Sequence, residues 1–182
     1  MFFAYILAGV LVFWLIAKYM NRQRNHEKAV EKVSGRLKRL CGKPGEVLKN
    51  VTLKLPEEDM TFDAILMDKR GICLVRAYGW GIRIYGTPDG AMWRREDAKR
   101  KEEFENPLLS LKKGAAEITR VMEENGIQNL KVMPMVVFAD NYQTPELYLG
   151  YGSFSTTYQE LKSWYKKQSG VKKVQYDYDK VS

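Results

Sequence analysis

Residues 61–80 read TFDAILMDKRGICLVRAYGW, and this stretch decides the fold. Two apolar runs, Thr61 to Met67 and Ile72 to Tyr78, flank Asp68-Lys69-Arg70-Gly71, a pattern that predicts two antiparallel strands joined by a tight turn. Side chains alternate along a strand, which puts Arg76 and Tyr78 on one face with Ile72 and Leu74. The neighbouring strand is expected to turn Asp63 toward the same pocket.

Working outward, Val47 to Leu55 reads as a preceding strand, and Ile82 to Tyr85 and Ala91 to Arg94 as two following ones, together an antiparallel meander. Residues 96–105 (EDAKRKEEFE) mix both signs and read as a solvated connection. Asn106 as N-cap and Pro107 at the first position then start a helix. Leu108, Leu111, Ala115, Ile118 and Met122 form its apolar face, and Asn125-Gly126 ends it. Val132 to Ala139 is a nearly continuous apolar run, as a strand covered on both faces would be, with Pro134 restricting its pairing. On the N-terminal side, Val30, Val33, Leu37 and Leu40 mark an amphipathic helix that stops at Gly42-Lys43-Pro44-Gly45. Tyr158, Leu161, Trp164 and Tyr165 mark a last helix. The class is α/β with a mixed sheet flanked by helices.

The 182 residues suit one domain with a core. From Phe2 to Ala17 every residue is apolar, aromatic or Gly, and about 20 helical residues span roughly 30 Å, one hydrocarbon core. Positive charge follows this run, unlike the order in a secretory signal peptide. The expectation is an uncleaved transmembrane helix with the N-terminus outside and the domain cytoplasmic. The chain divides into an anchor (1–20), a basic juxtamembrane linker (21–26), the α/β domain (27–170) and a tail or edge strand (171–182).

The net charge of +8 is uneven: residues 21–54 hold ten Lys/Arg against three Glu, and residues 55–182 hold nineteen against nineteen. The basic collar of Arg22, Arg24, Lys28, Lys32, Arg36, Lys38 and Arg39 suits anionic headgroups. Two cysteines, Cys41 and Cys73, cannot build a disulfide framework, and a single histidine, His26, argues against Ser-His-Asp hydrolysis. Gly79-Trp80-Gly81 lacks the third glycine of a dinucleotide fingerprint.

The order of Asp63 in a first strand, a turn closing in Gly71-Ile72, a second strand ending in Gly79-Trp80, and the Asn106-Pro107 helix resembles the nuclease-related domain (NERD) family over residues 27–140. The resemblance implies a restriction-endonuclease-like fold, in which an Asp and a Glu hold Mg²⁺ and a Lys helps activate water. Asp63 matches the family's metal-binding Asp, and Glu31 its N-terminal helix Glu. Elsewhere the pattern is broken: Arg76 stands at the strand Glu, Tyr78 at the Lys, Gly79 at the Asn before Trp80, and Ser110 at a Gln after Asn106-Pro107.

A hard cation needs oxygen ligands, whereas Arg76 offers only donors and a fixed positive charge. The expectation is an Arg76 to Asp63 ion pair in the metal position, no metal or cofactor, and a degenerate domain that binds or scaffolds at the membrane. The enzyme alternative is a membrane-tethered Mg²⁺-dependent nuclease using Asp63 with a displaced carboxylate, for which Glu46, Asp68 and Glu117 are the candidates; each reads first as a solvated or turn residue. A third reading is non-catalytic nucleic-acid binding through Arg83, Arg94, Arg95, Trp80 and Trp93, where guanidinium groups would track phosphates and rings would stack bases. The sequence names no protein partner.

Overall fold

The computed structural model describes residues 9–15, 25–97, 100–140 and 143–168. Helix α1 (His26–Cys41) is capped by Asn25, whose side chain accepts from the Glu27 N–H. Strands β1 (Glu46–Lys54), β2 (Asp59–Asp68) and β3 (Gly71–Tyr78) follow, then β4 (Arg83–Gly86), β5 (Met92–Glu96) and β6 (Lys101–Glu105). Helix α2 (Pro107–Glu124), β7 (Val132–Phe138), β8 (Glu146–Leu149), β9 (Ser155–Thr157) and α3 (Leu161–Gln168) complete the order.

The strands form two sheets rather than one meander. The five-stranded sheet runs β1-β2-β3-β7-β9, with β3, β7 and β9 parallel and β1 and β2 antiparallel to their neighbours. The four-stranded sheet runs β6-β5-β4-β8. Residues 101–105, expected as a connection, are strand β6, because their charges pair across the ladder: Glu102 lies opposite Arg95, Glu103 opposite Arg94 and Lys101 opposite Glu96.

α1 and α3 cover one face of the five-stranded sheet, where Ala29, Val30, Val33, Leu37 and Leu161 pack with Ala64, Leu66, Val75, Ala77, Met135 and Val137. α2 covers the other face through Leu108, Leu111, Ala115 and Ile118, which meet Ile65, Leu74, Val136 and Phe138 and reach Ile84 and Trp93 of the second sheet. Pro134 is tolerated inside this sheet for a geometric reason. The Val136 N–H points toward the β9 side, so the missing N–H of Pro134 faces the same way, short of the point where β9 begins pairing.

Residues 9–15 are helical and apolar, with Val10, Leu11, Phe13 and Leu15 each at least half exposed. The rest of the expected anchor and the tail beyond residue 168 lie outside the described residues. Among the described residues no helix is long and apolar enough to cross a membrane.

Candidate functional site

The β2–β3 ladder runs from Asp68 opposite Gly71 to Ala64 opposite Val75 and ends there. Gly71 makes the hairpin possible: its φ is +122°, and a Cβ would lie 2.0 Å from the Lys131 carbonyl oxygen. At the other end, Ala64 and Leu66 face α1 while Phe62 faces α2, so the alternation of β2 breaks at Asp63. The Asp63 carboxylate fills the gap where the strands part. Its Oδ2 accepts the Ala77 N–H at 2.7 Å, taking the place of a backbone carbonyl.

Two further groups flank Asp63. Arg76 Nη1 donates to Oδ1 at 3.3 Å, while Arg76 Nη2 donates to the Thr61 carbonyl at 2.9 Å. His26 Nε2 lies 3.3 Å from the same Oδ1. The Asp63 side chain is only 5 % exposed, against 28 % for Arg76 and 55 % for His26, so the carboxylate is sealed by its partners and the partners face water. Gly79 permits the approach of α1. A Cβ there would sit 2.9 Å from the Asn25 carbonyl oxygen and 3.2 Å from the Ala29 Cβ.

Tyr78, on the Arg76 face of β3, is held by rings: Trp80 at 4.7 Å, Phe104 at 5.7 Å and Phe138 at 5.6 Å between centroids. Burial pushes its phenol up to about 12, so at neutral pH it is a protonated packing group that joins the two sheets. Asn106 is likewise a brace. Its Oδ1 accepts the Leu108 N–H at 2.9 Å, and its Nδ2 donates to the Gly90 carbonyl at 2.7 Å, tying the 87–90 turn to the start of α2. Ser110 donates to the Pro107 carbonyl at 3.0 Å within its own helix.

The chain has a family: the model described as the nuclease-related domain matches residues 23–139. This protein belongs to the NERD family. No curated protein and no solved structure matches the chain.

In this NERD domain the other candidates are dispersed. Glu31 is exposed on α1, outside the buried stripe of Ala29, Val30, Val33, Ser34 and Leu37. The α1 residue that reaches Asp63 is His26, which continues that stripe one turn earlier and belongs to the helix, not to the expected linker of residues 21–26. Its signal was available: Asn25 is an N-cap type, and His26 stands three and four residues before Ala29 and Val30.

Asp68 is a turn residue at the hairpin, as expected, but neither it nor Glu117 is solvated. Asp68 is buried with Arg70, whose backbone N–H and Nε donate to Oδ1 at 2.9 and 3.1 Å and whose Nη2 pairs with Oδ2. The Tyr165 hydroxyl donates to the same Oδ2 at 2.9 Å. Glu117 is buried against Arg120, with 2.5 Å between Oε1 and Nη2. Glu46 is exposed at the start of β1.

The arginine and aromatic cluster is also rearranged. Trp93, expected to stack on bases, is 1 % exposed and donates Nε1–H to the Thr87 carbonyl at 2.8 Å. Arg95 lies 4.1 Å from the Trp80 ring centroid and 2.5 Å from Glu102. Arg94 pairs with Glu96 at 3.3 Å and Arg83 with Glu146 at 3.6 Å. Each guanidinium that was to track phosphate has a carboxylate beside it.

The residues around Asp63 do not fit a divalent cation. One oxygen is occupied by a backbone donor, the other meets a guanidinium and an imidazole, and the side chain facing Asp63 from β3 is a cation and not a second carboxylate. Among the described residues no group of three His, Cys, Asp or Glu side chains could hold a metal ion.

Proposed function

We propose that this protein is a membrane-anchored cytoplasmic NERD domain that has lost nuclease chemistry and works as a binding or scaffolding module. One observation carries the reading: the Arg76 guanidinium sits on the Asp63 carboxylate at 3.3 Å, where a metal-dependent nuclease needs a cation between two carboxylates. A fixed positive charge at that distance repels Mg²⁺ and leaves Asp63 with a structural task. The five-stranded mixed sheet with helices on both faces supports the restriction-endonuclease-like architecture that the family resemblance implies. The exposed apolar helix at residues 9–15 supports the anchor, since it lies outside the two cores. The positive-inside rule then favours a cytoplasmic domain.

The test is cleavage of DNA and RNA by the full chain in detergent with Mg²⁺ or Mn²⁺, run beside Asp63→Ala. The expected result is the same background rate for both proteins. Cleavage by the native chain that disappears in Asp63→Ala would restore the nuclease reading with Mg²⁺ as its cofactor.

A further inference from the structure

The positive charge of the folded domain is concentrated on two helices. Residues 25–168 hold 24 Lys/Arg and 20 Asp/Glu, and α1 and α3 alone hold eight against two, leaving sixteen against eighteen for everything else. These helices are far apart in sequence and adjacent in space. Both pack on the same face of the five-stranded sheet, and Arg36 Nη2 donates to the Gln159 carbonyl at 3.5 Å, just before α3.

Their outward sides are basic. Lys28, Lys38 and Arg39 are exposed on α1, and Lys162, Lys166 and Lys167 on α3. The Tyr158 ring between the helices carries Lys32 and Arg36, each 4.5 Å from its centroid. That ring is already covered by cations, so at this point the face offers charge and not an open ring on which a nucleic-acid base could stack.

We propose that the α1 and α3 faces form one basic surface that docks on anionic lipid headgroups and holds the domain in a fixed orientation on the bilayer. This rests on the anchored reading above: only residues 21–25 separate the expected anchor (1–20) from His26, a tether short enough to keep α1 within reach of the membrane surface. α3 then adds three lysines that a linear view of a juxtamembrane collar does not include. Anionic leaflets attract such clusters over about a Debye length. The uncharged balance of the remaining surface makes the docking one-sided.

The experiment uses the full chain with Cys41→Ser and a fluorophore at Ser163→Cys on α3 or, as a control, at Glu123→Cys on α2. Each protein is placed in vesicles of phosphatidylcholine, with or without phosphatidylglycerol, carrying a headgroup quencher. Quenching at position 163 is expected to be about threefold stronger in the anionic vesicles, with no such change at position 123. Adding Lys162→Ser, Lys166→Ser and Lys167→Ser, or raising the salt to suppress surface electrostatics, should remove the difference. Equal quenching at position 163 in both vesicles would overturn the proposal, as would binding of a single-stranded oligonucleotide to this face by a chain indifferent to anionic lipid. Flotation in high salt separates this outcome from the fate of the anchor. A chain that floats with neutral vesicles keeps the anchor whatever the quenching shows; one that binds only anionic vesicles at low salt keeps the basic surface and loses the anchor.

Discussion

The β2–β3 hairpin carries two buried carboxylates, one near each end, and each is matched with an arginine. Near the open end, Asp63 meets Arg76 across the strands; near the turn, Asp68 meets Arg70 two residues on. The two pairs differ in enclosure. Arg70 is 9 % exposed and lies against the Tyr165 ring at 3.4 Å, donating also to the Tyr165 carbonyl at 3.2 Å, so the pair near the turn fastens α3 to the sheet. Arg76 opens to solvent and spans the parting strands, where the family pattern has its metal carboxylates. Burial of an aspartate therefore does not mark a reactive site by itself. The position of its partner and access from outside distinguish a sealed fastening from a pair that solutes can reach.

The largest expected effect is at the enclosed pair. Asp68→Ala strands the Arg70 guanidinium and removes the Tyr165 hydroxyl bond, which should cost about 3–5 kcal/mol of folding stability in denaturant titration. It should also expose Cys73, which lies on the same face of the sheet and whose thiol burial pushes up to about 12. Native Cys73 should resist alkylation at pH 8, and the variant should be modified readily. A loss under about 1 kcal/mol would show that the enclosed pair contributes no more than a surface ion pair.

At the open pair, Arg76→Ala should cost about 1–3 kcal/mol, less than at Asp68 because Asp63 keeps the Ala77 N–H and water can replace part of the guanidinium. A loss exceeding that of Asp68→Ala would reverse the comparison. A smaller effect is expected at high pH from Tyr78. Its phenol ionises near pH 10 when unfolded and near 12 when folded; between these values the unfolded state gives up its proton first, so stability falls as pH rises, by about 1.4 kcal/mol per unit. Tyr78→Phe should flatten that part of the alkaline decline in urea titrations, and an unchanged slope would place the ring in a wetter setting than its aromatic neighbours imply.

Much of the architecture was legible because it follows from local rules. The hairpin was set by Gly71 between two apolar runs, and α2 by Asn106-Pro107 at one end and Asn125-Gly126 at the other. Strand β6 escaped because its ladder is built on cross-strand charges, to which apolar alternation is blind. The burial of Asp68 comes from Tyr165, 97 residues away, and no local pattern carries that contact. At the site, the meeting of Asp63 and Arg76 could be reasoned from strand register, whereas His26 depended on where α1 crosses the sheet and on the missing side chain at Gly79. Trp93 misled because an aromatic among arginines has the composition of a binding surface whichever way the ring points.

The measurement closest to the central claim is thermal unfolding of the full chain in detergent with increasing Mn²⁺, for the native protein and for Arg76→Glu. The native chain is expected to show no metal-dependent change in Tm. Arg76→Glu, which sets two carboxylates against each other at the parted strands, should be destabilised without metal and recover with Mn²⁺ on the order of millimolar as the cation neutralises them. A rise in the native Tm with Mn²⁺ that vanishes in Asp63→Ala would contradict the central claim, because it would mean that the Arg76 pair yields to a metal ion.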